Sequence, residues 1–327
     1  MTDSREAIYS VEHFYPKHPE HPIAPLTADF HGYFREERIE KSHLVIAGDD
    51  DASIRLLLEG KTEFSMDAHP AMVIEQNARG NDVYIIGSYR NGLPFSIIAR
   101  PGVVRTPQDL RGKRFTTSRR YGVGERTVRA TCDKLGIDPD RELELILIPE
   151  RGTYEKLEAL KTGAADFGIY HHDAEGRIVR DLIERGELVE VLDLTKLFPF
   201  YVTRAMATSG RMLRDQPAKV KAFLKGVMRA QQFMHDKDPM GQDALDILKR
   251  MFQVDSLEAS RFQNGRAEAW PLQAGDVMAS PEGVSAHADE LKAKGKLPES
   301  YSVEQVLRNE PATEALAALG FADQRAC

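Results

Sequence analysis

The stretch T-P-Q-D-L-R-G-K-R-F-T-T-S-R-R-Y-G-V-G, residues 106–124, decides the fold. Pro107 follows a threonine cap, where its missing N–H costs nothing, and Gly112 marks a tight turn. The pattern then predicts a short buried strand over Lys113–Thr117 and a helix over Val123–Leu135, with a polar loop between them. Because a helix start carries unpaired N–H groups and a partial positive charge, this strand–loop–helix unit predicts an anion site.

The totals limit the classes of protein. A chain of 327 residues is long enough for two lobes, since single cores stop growing near ~250–300 residues. A net charge of −7 argues against a nucleic-acid or anionic-membrane partner. No run of ~18 apolar residues predicts a membrane span. The two cysteines, Cys132 and Cys327, form no disulfide framework and no metal-binding spacing.

The N-terminus M-T-D-S-R-E has no apolar leader segment. The expected location is therefore the cytoplasm, or the periplasm if a leader has been removed.

The order of elements predicts an α/β protein. Strands alternate with helices up to about residue 207, which predicts parallel sheets covered on both faces, and the pattern is helical from Pro217 onward. A helix is expected over residues 26–37, and two strands are expected on either side of an R-N-G turn at 90–92. Residues 57–64 and 160–167 share one outline: helix, glycine turn, acidic residue and a strand led by phenylalanine. This echo predicts two similar lobes.

Several motifs in order resemble a known family. They are P-L-T-A-D-F-H-G-Y-F-R-E-E-R-I (25–39), L-L-L-E-G-K-T-E-F (56–64), N-A-R-G-N-D-V (77–83), T-P-Q-D-L-R-G-K-R-F (106–115), A-L-K-T-G-A-A-D-F-G (159–168) and D-Q-P-A-K-V-K-A-F-L-K-G (215–226). Together they resemble the type II periplasmic-binding-protein fold, in its sulfonate/nitrate-binding and thiamin-pyrimidine-precursor branch.

The resemblance implies a specific architecture. Two doubly wound α/β lobes would be joined by two crossing strands, near 92–93 and 198–200, and followed by a helical C-terminal segment. One lobe would comprise residues 1–92 plus 199–327, and the other residues 93–198. A small ligand would lie in a cleft lined by the loops after the strands, as ligands do in open α/β sheets.

The residues on those loops are the candidate ligand-binding groups. Hydroxyls, guanidiniums and a helix start suit an anion, imidazoles suit acid–base or metal chemistry, and tyrosines suit a flat ligand. The candidates are His18, His21, Asp67, His69, Tyr89, Thr116, Thr117, Ser118, Arg119, Tyr121, His171 and His172. Tyr170 and Trp270 are further aromatic candidates, although such residues more often lie in a core or at a rim.

No cofactor is expected, with a divalent metal as the open alternative. His18, His21, His171 and His172 are the candidate ligands, because imidazole is a common metal ligand. Neither an H-x-x-x-H nor an H-E-x-x-H spacing supports them. Solvated loop histidines are the competing explanation.

Two classes of function remain open. The first is a binding protein that closes two lobes on a small anionic or zwitterionic ligand, such as a carboxylate, a sulfonate or a pyrimidine. It would act as a single chain, with an ABC permease as partner if exported. The second is a cytoplasmic lyase of the decarboxylase type, in which His69 or His171 donates a proton and Arg119 holds the substrate.

The mechanisms of two enzyme families of similar fold do not apply to this chain. The thiamin-pyrimidine synthases carry a cysteine-rich cluster near the second crossing, but residues 194–204 contain no cysteine. The aryl sulfinate desulfinases use a cysteine in the first strand-end loop, but residues 15–23 contain none.

Overall fold

The strands and helices of the chain form two α/β units. A computed structural model describes residues 5–11, 23–48, 50–117, 123–148, 153–172, 176–238, 242–252 and 277–321. Within these, unit 1 comprises the residues up to Gly92 and from Phe200 onward, and unit 2 comprises Leu93–Pro199. The fold class expected from the sequence, two α/β lobes with a helical C-terminal part, is confirmed.

Unit 1 is built on a five-stranded sheet of order β2-β1-β3-β10-β4. Its strands are β1 (Glu6–Val11), β2 (Lys41–Ile46), β3 (Phe64–Ala68), β4 (Val83–Asn91) and β10 (Val202–Ser209). Its helices are α1 (Ile23–Phe30), α2 (Tyr33–Glu36), α3 (Asp50–Leu58), α4 (Pro70–Ala78), α10 (Gly210–Asp215), α11 (Pro217–Asp236), α12 (Gln242–Phe252), α13 (Pro281–Ala293) and α14 (Glu310–Leu319), with a 3₁₀ turn at Val303–Gln305.

Unit 2 is built on a second five-stranded sheet, of order β7-β6-β8-β5-β9. Its strands are β5 (Phe95–Ala99), β6 (Lys113–Thr117), β7 (Leu143–Leu147), β8 (Phe167–His171) and β9 (Val189–Asp193). Its helices are α5 (Val123–Leu135), α6 (Pro139–Glu142), α7 (Thr153–Thr162), α8 (Gly176–Glu184) and α9 (Leu194–Leu197), with a 3₁₀ turn at Pro107–Leu110.

Both sheets are mixed, which corrects the expectation of parallel sheets. β10 runs antiparallel to β3 and β4, and β5 runs antiparallel to β8 and β9. Each is the first strand formed after the chain enters that unit from the other. Neither follows a crossover helix packed on its own sheet, so neither is constrained to run parallel.

Two local expectations also change. The helix expected over 26–37 divides into α1 and α2, because Gly32 between them adopts a φ of 76°. The R-N-G segment does not turn, since β4 continues through Arg90 to Asn91 and pairs with β10. The chain bends only at Gly92, where φ is 87°.

The core of unit 1 contains an aromatic stack. The rings of Phe64 and Phe223 lie parallel at 4.0 Å, and Phe34 also stacks on Phe223, at 5.2 Å. Phe223 comes from α11, whose apolar residues recur at helical spacing and are buried. This stack holds α2 and α11 against the sheet.

The C-terminal segment covers one edge of the sheet of unit 1. Ile85 in β4 donates its N–H to the carbonyl of Val306, and Arg308 donates its N–H to the carbonyl of Ile85. These bonds satisfy the outer edge of β4, which would otherwise be open to pairing with another chain.

Unit 2 has its own core, in which α7 and α8 pack on the sheet through Leu160, Tyr170, Val179 and Leu182. Among the described residues of the chain, no helix has the length and apolar character needed to span a bilayer.

Candidate functional site

The carboxyl ends of four strands lie on one edge of the sheet of unit 2. β6 pairs in parallel with β7 and β8, while Phe95 pairs with His171 and Ser96 pairs with Asp193 across antiparallel ladders. The ends of β6, β7, β8 and β9 therefore meet the beginning of β5. Ligands bind beyond this kind of edge in open α/β sheets.

Thr116 and Thr117 end β6 where the sequence places them, and α5 begins at Val123 as expected. Both threonines are buried, with 1% and 5% of their surface exposed. A Cβ added to Gly124, in the first turn of α5, would lie 3.0 Å from the Thr117 hydroxyl oxygen. The start of α5 is therefore held directly against the end of β6.

The Thr116 hydroxyl is an unusual group at this edge. Its Oγ1 atom is buried and has no hydrogen-bond partner among the described residues. A buried hydroxyl without a partner costs about 1–3 kcal/mol, so its presence needs an explanation. A ligand group at the edge would provide one.

Four polar side chains, which we call the Ser96 cluster, lie elsewhere on the same edge: Ser96, His172, Glu190 and Asp193. The Ser96 hydroxyl lies 2.7 Å from Nε2 of His172 and 2.5 Å from Oε1 of Glu190. Nε2 of His172 lies 4.0 Å from Oδ1 of Asp193. Asp193 also accepts the N–H of Thr195 and so caps α9.

Sequence reasoning found only His172 of the Ser96 cluster. Glu190, Asp193 and Ser96 come from β9 and β5, whose pairing is antiparallel and contains a bulge between Ile97 and Ile98. An acidic residue near each end of a short strand was the available signal, but without the pairing partner it is indistinguishable from an ordinary solvated residue.

His171 points into a different environment from His172. Its ring lies against that of Phe95, with centroids 4.0 Å apart and an angle of 48° between the planes. The two consecutive histidines therefore contact different parts of β5. Tyr170, a candidate for stacking on a ligand, is instead a core residue with 1% exposure, so burial corrects that expectation.

Unit 1 presents its own candidates at the matching edge of its sheet. Asp67 is fully buried inside β3 rather than on a loop. Its backbone carbonyl accepts a hydrogen bond from Arg204 Nη1 at 3.2 Å. His69 stands immediately before α4, as the N-cap residue. Its ring meets that of His287 edge-on at a centroid distance of 5.4 Å.

His287 is the residue of this group that sequence reasoning missed. It lies on α13 and is 1% exposed, and its Nε2 donates to the carbonyl of Val202 at 2.8 Å. That bond leaves Nδ1 as the acceptor, which faces the Tyr201 hydroxyl at 3.5 Å. The signal in the sequence was a histidine at a core position of a helix in the tail.

Several predicted site residues lie outside the description. Tyr89 is in β4, and the structure does not describe its side chain. The others are outside the described residues: His18, His21, Ser118, Arg119, Tyr121 and Trp270.

The described cysteine offers no nucleophile. Cys132 is a free, buried thiol on α5, and burial raises its pKa to about 11. Because the thiolate is the reactive form, this side chain is inert at neutral pH.

The two sheets and their edges define a class of protein, the α/β fold of periplasmic binding proteins. The sulfonate-binding protein SsuA of Escherichia coli is 12% identical with a TM-score of 0.67, covering 93% of this chain and 92% of its own. The putative sulfonate-binding protein of Methylobacillus flagellatus KT is 14% identical with a TM-score of 0.69, covering 97% and 96%. The nitrate-binding protein NrtA of Synechocystis PCC 6803 is 16% identical with a TM-score of 0.62, covering 96% and 89%.

The family follows from the sequence match. The model described as NMT1/THI5 like matches residues 20–239, more than half of the chain. The chain belongs to the NMT1/THI5-like family, and the resemblance seen in its motifs is confirmed. No curated protein matches the sequence.

Proposed function

We propose that this chain is a solute-binding protein that closes its two units on a small organic anion or zwitterion, such as a carboxylate, a sulfonate or a pyrimidine-like compound. The observation that carries the proposal is the family match over residues 20–239, on a fold shared with proteins whose names describe sulfonate and nitrate binding. Closure excludes water, so each charged contact with the ligand strengthens.

The edge of unit 2 supports an anionic group in the ligand. Thr117 at the end of β6 lies beside the first turn of α5, a helix of 13 residues. Its unpaired N–H groups and partial positive charge favour an anion there. The buried Thr116 hydroxyl would donate to the same group.

The location and partners follow from the proposal. The similar E. coli protein is periplasmic, and nothing in the comparisons supports the cytoplasmic expectation. We therefore expect an exported chain that works as a monomer and delivers its ligand to an ABC permease.

The lyase alternative gains no support. Neither the family match nor the similar structures favour it. His69 belongs to unit 1 and His171 to unit 2, and each packs against another ring of its own unit.

A binding screen with a matched pair of variants tests the proposal. Ethanesulfonate, malonate, nitrate and an aminopyrimidine are the probes, and the melting temperature and calorimetric heat are the readouts. For any probe that binds, Thr116→Val is expected to weaken binding at least tenfold, because it removes one donor while keeping the shape. Thr131→Val is the control: its buried hydroxyl donates within α5 to the carbonyl of Thr127, so binding stays within twofold.

The stability of the two variants without ligand is a second measurement beside binding. Without ligand, Thr116→Val is expected to be neutral or stabilising, whereas Thr131→Val loses about 1 kcal/mol with its hydrogen bond. If no probe raises the melting temperature of the parent chain, the proposal of an anionic or zwitterionic ligand is wrong. If a probe binds and Thr116→Val binds it equally well, the ligand does not contact β6.

A further inference from the structure

The Ser96 cluster brings metal-binding atoms together at the edge of the sheet of unit 2. One ligand atom each from His172, Glu190 and Asp193 lies within 4.8 Å of the others. We propose that these three side chains bind one divalent transition-metal ion. This inference goes beyond the proposed function and does not depend on it.

The spacing and the donors suit such an ion. Bonds of about 2.0–2.2 Å place tetrahedral ligand atoms roughly 3.4 Å apart, so small side-chain rotations close the present set around an ion. One imidazole and two carboxylates form a donor set that Zn²⁺ accepts readily. Three protein ligands leave one coordination position for water or another small molecule.

The sheet itself directs these side chains to one point. In a regular strand, Glu190 and Asp193 would point to opposite faces, since they are separated by an odd number of residues. The bulge in β9 between its pairings with Ile97 and Ile98 breaks this alternation. Bulges redirect side chains in this way beside functional sites.

Ser96 contacts two of the three proposed ligands. It is 5% exposed and bonds to both Glu190 and His172. An ionised carboxylate only accepts, so Ser96 donates to Glu190 and His172 Nε2 donates to Ser96. For an ion to bind Nε2, the ring proton moves to Nδ1 and the hydrogen bond from Nε2 to Ser96 is lost, while Ser96 continues to donate to Glu190 and orient it.

The charge balance also favours a cation. The cluster contains two carboxylates, and Lys196 lies 3.6 Å from Oδ2 of Asp193. The Lys196 side chain is 82% exposed, and an exposed ammonium group compensates little of a partly buried charge. An ion at the three ligands would neutralise the negative charge of the carboxylates that Lys196 leaves uncompensated.

Zn²⁺ titration of the chelator-treated full chain tests the site, with calorimetry for affinity and Co²⁺ absorption for coordination. We expect one Zn²⁺ per chain and visible Co²⁺ bands. His172→Gln, Glu190→Gln and Asp193→Asn are each expected to weaken Zn²⁺ binding at least tenfold. Asp193→Asn keeps the oxygen that caps α9, and thermal melts check that every variant folds.

The control is His43→Gln, which removes a histidine paired with one carboxylate, Glu6, at 3.4 Å. It should change Zn²⁺ affinity less than twofold. The proposal is overturned if the parent chain binds no Zn²⁺, or if the three cluster variants bind it as tightly as the parent. It is also overturned if ethylammonium raises the melting temperature of the parent chain, but not of Glu190→Gln and Asp193→Asn, while Zn²⁺ does not raise that of the parent chain.

Discussion

Each unit uses a carboxylate to fix the register of two parallel strands, but the carboxylate is paired with a different cation in each unit. In unit 1, Glu63 precedes β3 and accepts the N–H of Ile8 at the neighbouring strand and the ammonium group of Lys219 at 2.6 Å. In unit 2, Asp166 precedes β8 and accepts the N–H and the guanidinium of Arg114 from the neighbouring strand. Each carboxylate fixes the register between two parallel strands.

The difference lies in the counter-ion and its burial. Lys219 comes from α11, and its side chain is 5% exposed against 9% for Glu63. Arg114 comes from the strand that it helps to anchor and is 35% exposed, against 11% for Asp166. The pair in unit 1 therefore ties a helix to the sheet in a dry interior, whereas the pair in unit 2 is local and partly wet. The two sequence segments therefore look alike, but the ion pairs of Glu63 and Asp166 contribute differently to stability.

The largest expected effect is the loss of the buried cation. Lys219→Met leaves the Glu63 carboxylate buried without its partner, so we expect a loss of about 3–5 kcal/mol from the free energy of unfolding. Arg114→Met is the matched variant and should cost much less than Lys219→Met, because the Arg114 guanidinium is partly exposed. Urea unfolding, followed by circular dichroism, measures both.

A double variant sharpens this result. Lys219→Met combined with Glu63→Gln removes the uncompensated charge and should recover much of the stability lost. Equal losses for Lys219→Met and Arg114→Met would contradict the distinction between the two units.

A medium effect is expected from the glycines that allow close packing. A Cβ at Gly226 on α11 would lie 2.3 Å from the ring of Phe34, inside the aromatic stack. Gly226→Ala should cost about 1–3 kcal/mol through overpacking, despite the better helix propensity of alanine. Calorimetric melting gives the comparison.

Gly168 in unit 2 is the control for this prediction. Its added Cβ would lie 2.9 Å from the Cγ2 methyl of Thr116 and 3.1 Å from the ring of Tyr170, both farther than the 2.3 Å contact at Gly226. Gly168→Ala should therefore cost less than Gly226→Ala, and the reverse order would show that unit 2 has the stiffer core.

The smallest effect is a pH dependence in unit 2. Burial raises the pKa of Asp166, but the hydrogen bonds and charge of Arg114 outweigh it, so the pKa lies below its usual range. A lowered pKa contributes stability above the unfolded value of about 3.9, which is lost as the pH falls through the native value. Asp166→Asn should therefore destabilise by about 1 kcal/mol at neutral pH, and this gap should shrink below about pH 4. A constant gap from pH 7 to pH 3 would contradict the assignment.

Much of the fold was predictable because its signals are local. The strand Lys113–Thr117 and the helix Val123–Leu135 have the bounds that the sequence predicts. The repeated outline around Glu63 and Asp166 indicated two similar units. A glycine turn followed by an acidic residue at the start of a strand is encoded within a few residues. The directions of β5 and β10 were not predictable in this way, because they depend on where the chain changes units.

The candidate site was less predictable because its contacts are remote in sequence. Ser96 and Glu190 touch although they are 94 residues apart, and Tyr201 and His287 are 86 apart. Single-residue reasoning found His172 and Thr116 from their positions at the ends of strands. It could not find the partners, since their roles arise only from strand pairing, a bulge and the packing of α13.

The position of β10 has a consequence for how the chain folds as it is made. β10 lies between β3 and β4, yet it follows all five strands of the sheet of unit 2 in the sequence. While the nascent polypeptide emerges from the ribosome, unit 2 receives every strand of its sheet before β3 and β4 receive the strand that joins them. The half synthesised first is therefore the half completed last, and until then two strand edges stay open to wrong pairings.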